Sequence, residues 1–186
     1  YRYKMNDPIN FITNVVDLNL ETGPFITGSY MTWLLEKEIG YTPKWLPDDL
    51  DICCTNEEQF AEVKHYIQPL ATSIKETNWL GNSGTYWTID GFKFQAFVHP
   101  ITVQERLNCV DYTMGAIAYD GVRYITNKST MHDIINKVIR LNDDIFDWPV
   151  ESITGRYKKY LSRGYKDLNN DTLTKLNTIY GLNGTI

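Results

Sequence analysis

Long apolar runs are absent from this 186-residue chain. No stretch of about 18 consecutive apolar residues occurs, so no segment reads as a membrane-crossing helix and no membrane partner is expected. No signal-peptide pattern is visible. The chain opens on Tyr1 rather than Met, so an upstream targeting segment stays open. Cysteine pairs at metal-binding spacing are missing. Cys53, Cys54 and Cys109 make no zinc pattern, and the adjacent pair reads as small apolar residues on a buried strand in a reducing compartment. Histidine is sparse: His65, His99 and His132 are too scattered to form a constellation. Positive charge is in deficit. With 18 Lys and Arg against 23 Asp and Glu, the net charge of −5 argues against a broad DNA-binding surface but leaves room for a local basic stripe. Internal repeats, low-complexity tracts and long Gly/Ser linkers are absent too. What remains is 42% hydrophobic and 13% aromatic, ample for one packed domain with a small helical appendage.

The chain pattern alternates helix and strand in its first half. Asp7-Pro8 reads as an N-cap and N1 proline, opening a helix to about Leu20 whose apolar face carries Ile9, Ile12, Val16 and Leu20. Phe25 to Thr27 reads as a short buried strand, and Tyr30 to Ile39 as a helix closed by Gly40. Asp49 to Cys54 is a second strand. Thr55-Asn56-Glu57-Glu58 reads as a capping box that starts a helix to about Leu70. Ser73 to Trp79 and Thr85 to Ile89 look extended, and Asp90-Gly91 is a hairpin turn returning through Phe92 to Val98. Thr102 with Glu105 makes a second capping box. Tyr112 to Tyr119 and Val122 to Thr126 flank another hairpin signal, Asp120-Gly121. Ser129 to Lys137, Pro149 to Tyr165 and Asp171 to Tyr180 read as helices. This order predicts an α/β or α+β fold with a mixed sheet flanked by helices, residues 1–148 forming the core and 149–186 a helical segment packed on it.

Two short motifs stand out in that frame. Gly28-Ser29 ends the apolar run Pro24-Phe25-Ile26-Thr27 and precedes a helix, an arrangement that can offer backbone N–H groups to a phosphate. It also fits a plain strand-to-helix turn with Ser29 as N-cap. Asp49-Leu50-Asp51 opens the second strand, and carboxylates at i and i+2 point to one face. Like charges on one face of a buried strand repel unless a cation sits between them, and paired carboxylates suit a hard divalent ion such as Mg²⁺. A capped strand start with exposed carboxylates is the alternative. Asp48 faces the other way and reads as a loop residue.

Basic residues concentrate in Arg156, Lys158, Lys159, Arg163 and Lys166. Arg156, Lys159 and Arg163 share a helix face, either as a solvated surface or as a phosphate clamp for a triphosphate or an RNA acceptor. Tyr157, Tyr160 and Leu161 are expected to pack the other face. The aromatic set Trp79, Tyr86, Trp87, Phe92, Phe94 and Phe97 reads as core and hairpin pairs rather than a base-stacking platform. Trp45, on the loop before Asp49, is the better candidate for a substrate wall.

The ordered combination Phe25-Ile26-Thr27-Gly28-Ser29, helix, Asp49-Leu50-Asp51 resembles the nucleotidyltransferase fold, the superfamily that includes polymerase beta. Further segments are similar to nucleotidyltransferase-like proteins of phages and large DNA viruses. These are Leu46 to Ile52, Phe92-Lys93-Phe94-Gln95, Val110-Asp111-Tyr112, Ala118 to Gly121, and Gly155 to Tyr165. The resemblance implies Mg²⁺, a nucleoside triphosphate, and transfer of a nucleoside monophosphate to a hydroxyl on an unidentified RNA or protein acceptor. It implies a cytoplasmic setting, that of the host if the chain is phage-encoded. Gly28, Ser29, Arg156 and Lys159 would hold the nucleotide, and Asp49 and Asp51 the metal. The family usually carries a third carboxylate on a neighbouring strand. Here that strand offers Gln95, or Lys93, and an amide is too weak a base to take a proton from a hydroxyl. Asp90, more simply a turn residue, and Asp111 are the nearest other carboxylates. A degenerate member that binds nucleotide, RNA or a protein without turnover is therefore the competing reading.

Overall fold

The computed structural model describes residues 5–144, 148–184 and 186. Its centre is a mixed sheet of seven strands: β1 (Phe25–Thr27), β2 (Asp49–Cys54), β3 (Ser73–Trp79), β4 (Asn82–Ile89), β5 (Phe92–Val98), β6 (Ile117–Tyr119) and β7 (Tyr124–Thr126). Their spatial order is β3-β4-β5-β2-β1-β6-β7. β1 and β2 run antiparallel with Thr27 opposite Asp51. β2 and β5 run parallel, which sets Lys93 opposite Asp49 and Gln95 opposite Asp51. Among the described residues no helix is long and apolar enough to cross a membrane.

The period of two along the strands divides the sheet into two unlike faces. Leu50, Ile52 and Cys54 of β2, with Phe94, Ala96 and Val98 of β5, join the main core. The helices α1 (Pro8–Val15), α2 (Ser29–Ile39) and α3 (Glu57–Ile67) cover that face. On the opposite face Phe25, Cys53 and Phe97 pack in a smaller cluster with Val103 and Leu107 of α4 (Val103–Cys109). Beyond that cluster the same face carries Asp49, Asp51, Lys93 and Gln95, the polar members of the alternation. Three further helices complete the chain: α5 (Thr130–Asn136), α6 (Val150–Ser162) and α7 (Asp171–Tyr180). Ile153, Tyr157 and Tyr160 of α6 are buried against the main core, and the Tyr112 hydroxyl donates to the Ile153 carbonyl at 2.6 Å.

Several local expectations shift. α1 stops at Val15, because Val16 turns extended and the Asn19 side chain then accepts from Glu21 and Thr22 N–H groups in a turn. Asp7 caps it as expected. The second cap moves by one residue. Asn56 is the N-cap and accepts from Gln59 N at 2.8 Å, while the Gln59 side chain reaches back to Thr55 N–H. The Thr55 hydroxyl is drawn away to the Thr22 carbonyl. Ser29 is the first helical residue and Gly28 the cap. Thr113–Gly115 forms a 3-10 turn, so β6 and β7 pair only over three residues each. α6 ends at Ser162, where Gly164 with a φ of +90° leads the chain out. Leu161 is exposed rather than packed. The box at Thr102 and Glu105 forms as read. Trp87, Phe92, Phe94 and Phe97 are buried as core residues, and the Trp79 side chain lies outside the described residues.

Candidate functional site

The polar part of the second sheet face opens into a cleft of about 320 Å³. Gly28 and Ser29 line it from the β1–α2 turn, Asp49 and Asp51 from β2, and Arg156 and Lys159 from α6. All six residues singled out in the sequence therefore converge on one cavity, with Arg163 beside them. Topology explains the convergence. β1 and β2 are antiparallel neighbours, so the turn that ends β1 lies beside the start of β2, where the two carboxylates sit.

Gly28 is required by geometry. Its backbone stands at φ +85° and ψ −167°, a region open essentially to glycine alone. A Cβ there would lie 2.1 Å from Asp51 Oδ2. The turn backbone and the second carboxylate are thus in close approach. As the cap of α2, Gly28 offers no side-chain acceptor to the first-turn N–H groups, which an α-helix leaves without intrahelical partners.

The Asp49 and Asp51 pair is held under tension. Burial, then the charge of Asp49, pushes the Asp51 carboxyl well above the usual carboxylate range, against the pull of Arg106, Arg156 and Lys159. Burial also raises Asp49; Lys93 opposes this and Asp48 adds to it. Asp51 Oδ1 is shielded from solvent and has no hydrogen-bond partner. A buried acceptor left in that state costs about 1–3 kcal/mol, which an incoming cation or donor would recover. Among the described residues no group of three or more His, Cys, Asp or Glu is placed to hold a metal. The pair alone fits Mg²⁺, which is commonly bound by one or two carboxylates together with substrate phosphates. Gln95 lines the cleft opposite Asp51, where a third carboxylate would stand.

The opposite wall is cationic. Arg156 Nε donates to Asp111 Oδ2, and its Nη2 is buried with no hydrogen-bond partner. Its guanidinium lies 5.2 Å from the Trp148 ring centre. Lys159 reaches Asp48 at 3.5 Å, a half-exposed contact of little energetic weight. Asp111 is therefore in the cleft, but occupied by Arg156 and by the Tyr112 N–H. Asp90 sits at a hairpin turn with φ +48°, away from the lining.

Sequence reasoning missed Arg106, Trp148, Tyr86 and Tyr160, which also line the cleft. Arg106 is buried on α4, contacts His99 Nδ1 at 3.1 Å and lies over the Phe97 and Trp148 rings. A signal existed: Arg106 follows Val103 by three residues on the apolar face of α4, a position where a cation needs a reason. Trp148 and Tyr160 left no comparable mark, since aromatic residues at such positions read as core. Trp45 is a correction. It does not line the cleft but a neighbouring cavity, because its indole N–H is tied to Glu36 Oε2 at 3.1 Å on α2.

No family model matches the chain, and no curated protein matches its sequence. Solved structures do. The Thermotoga maritima CCA-adding enzyme complexed with tRNA-CCA aligns with a TM-score of 0.57 at 17% identity, covering 91% of this chain and 41% of that one. A tRNA-processing enzyme in apo form I aligns with a TM-score of 0.51 at 17% identity, covering 76% and 38%. The chain thus spans about two fifths of the length of these structures. At such identity the likeness establishes the fold alone, a mixed sheet with flanking helices shared with these structures.

Proposed function

We propose that this chain is a metal-dependent nucleotidyltransferase, with residues 1–148 as the core and 149–186 as a helical segment that supplies the cationic wall. The observation that carries the reading is the meeting of Gly28-Ser29, the Asp49 and Asp51 pair, and Arg156 with Lys159 in one cleft. Asp49 and Asp51 would hold Mg²⁺, and the bound ion would supply charge neutralisation at the triphosphate. The N-terminus of α2 at Gly28 and Ser29 binds phosphate oxygens through backbone N–H groups. Arg156 and Lys159, which line the cleft, hold the outer phosphates. Trp148 and Phe97 wall off water. An acceptor hydroxyl then forms the new O–P bond at the α-phosphorus as the bond to pyrophosphate breaks; pyrophosphate leaves and the hydroxyl proton passes to solvent. RNA is the first acceptor to test, because the CCA-adding structure is a complex with tRNA; protein is the second.

A second reading has its own observation. Gln95 faces Asp51 across the strand pair and cannot take the acceptor proton. This favours a nucleotide-binding protein without turnover. Incubation with each α-labelled nucleoside triphosphate, Mg²⁺ and RNA or protein separates the two. Label transfer that Asp51→Asn abolishes supports the transferase. Mg²⁺-dependent triphosphate binding by calorimetry, without label transfer, supports the binder. Absence of triphosphate binding overturns both.

A further inference from the structure

The loop from Tyr41 to Pro47 does not line the cleft, yet its two aromatic residues, Tyr41 and Trp45, are firmly built in. It lines a second cavity of about 350 Å³, and the two cavities share Arg163 as a common wall. Glu36, fully buried on α2, accepts the Trp45 indole N–H and is ion-paired with Lys137. That carboxylate anchors one edge of the indole, and Lys137 compensates its charge. The Arg163 guanidinium lies 3.8 Å from the Trp45 ring centre, and the Lys137 ammonium 4.6 Å from that of Tyr41. The Tyr41 hydroxyl is in turn fixed on the Ile135 carbonyl. Among the described residues the cavity lining carries one carboxylate against three cations, since Lys44 adds to Lys137 and Arg163. In a chain of net charge −5 this is a local excess of positive charge beside pre-positioned aromatic rings.

Aromatic rings interleaved with cations are what single-stranded nucleic acid requires. Bases stack on the rings and phosphates pair with the cations, with little demand for sequence. We propose that this groove binds the single-stranded end of a nucleic-acid acceptor and leads it past Arg163 into the cleft. The inference rests on the transferase reading for its purpose, but not for its binding chemistry. The shared chemistry is a nucleobase with a phosphodiester, which RNA and DNA both present.

The test uses fluorescence anisotropy with labelled oligonucleotides of about ten nucleotides, one ribo and one deoxy, within the usual footprint of such grooves. Calorimetry with Mg²⁺ and nucleoside triphosphate runs on the same proteins. Trp45→Ala should weaken oligonucleotide binding about tenfold, the scale of one lost base stack. Trp45→Phe should keep most of the affinity. Lys44→Glu, an exposed change that leaves the fold alone, should also weaken it and lower the log–log salt slope by about one. Triphosphate binding should not change in any of these variants. The preferred oligonucleotide identifies the acceptor type. Asp49→Asn with Asp51→Asn should abolish triphosphate binding and leave oligonucleotide binding in place. If the wild type binds no triphosphate yet binds an oligonucleotide through Trp45 and Lys44, the function reading fails and the groove stands. No binding of either oligonucleotide, or binding indifferent to both Lys44→Glu and Trp45→Ala, overturns the proposal. Binding that depends on Lys44 but not Trp45 is mere charge attraction and overturns it too.

Discussion

Substituting Gly28 by alanine puts the central geometry to a quantitative test. Two independent costs arise. The backbone at φ +85° and ψ −167° lies in a region that costs a residue with a side chain about 1–3 kcal/mol. The new methyl would also lie 2.1 Å from Asp51 Oδ2 and 3.0 Å from its Cγ, so the carboxylate must move. Forcing an extra carbon into a filled space costs about 1–3 kcal/mol. The sum is roughly 2–6 kcal/mol. In a chain of this size each kcal/mol lowers Tm by about 2–4 °C, so the expected fall is roughly 5–20 °C. A double-mutant cycle with Asp51→Ala separates the terms. The backbone cost persists in that background, and the clash with the carboxylate disappears, leaving only the residue 51 Cβ at 3.3 Å. The coupling should therefore be about 1–3 kcal/mol, measured by thermal or denaturant unfolding without ligand. Triphosphate binding should weaken as well, since the α2 N-terminus is displaced. A Gly28→Ala melt within about 2 °C of the parent, or additivity with Asp51→Ala, would refute the argument that turn and carboxylate are in close approach.

Other outcomes follow from the same charges. Asp49→Asn with Asp51→Asn should lose Mg²⁺-dependent triphosphate binding, yet keep or raise metal-free stability near pH 7. Burial raises both carboxyls, Asp51 further through Asp49, so their favourable neutral state is present at low pH and lost as pH rises through the raised values. The gain of the double variant should accordingly shrink on acidification; a drop in Tm at neutral pH with Mg²⁺ binding intact would defeat the metal-site reading. Gln95→Glu should lower metal-free stability by adding a third like charge opposite Asp51, and should raise label transfer if a missing base limits turnover. Unchanged stability and unchanged transfer in that variant would show that residue 95 does not act on the pair. His99 is held down to about 4 by burial and by the Arg106 guanidinium. The unfolded chain takes up the proton near about 6.5, so stability should fall as pH drops from there towards about 4. Unfolding of His99→Gln followed across that range should show a flatter dependence, and an identical one would sink the assignment.

Much of the site was legible because its signals are local. Gly28-Ser29 follows a three-residue apolar strand, and Asp49 with Asp51 falls on one face by the period of two. Gln95, with Lys93 as the other choice, is offered only by the family resemblance, and its place opposite Asp51 is settled by the pairing of β2 with β5. Arg156, Lys159 and Arg163 share a face by the period of the helix. The relations within β1–α2, β2 and α6 each span a few residues and depend only on the period of the local backbone.

What the tertiary structure decided are the relations between segments far apart in sequence. Trp45 could not be assigned by proximity to Asp49, because its orientation is set by Glu36 and Arg163. Asp111 looked like a spare carboxylate until Arg156, 45 residues later, was found bonded to it. Arg106 and Trp148 enter the cleft together because the segment before α6 packs on α4, with the Trp148 indole N–H donating to the Cys109 carbonyl and its ring beneath Arg106. The periods of strand and helix state which side of an element a residue occupies. Which elements those sides meet depends on how a seven-stranded sheet is ordered, and that order is settled by burying apolar surface across the whole chain.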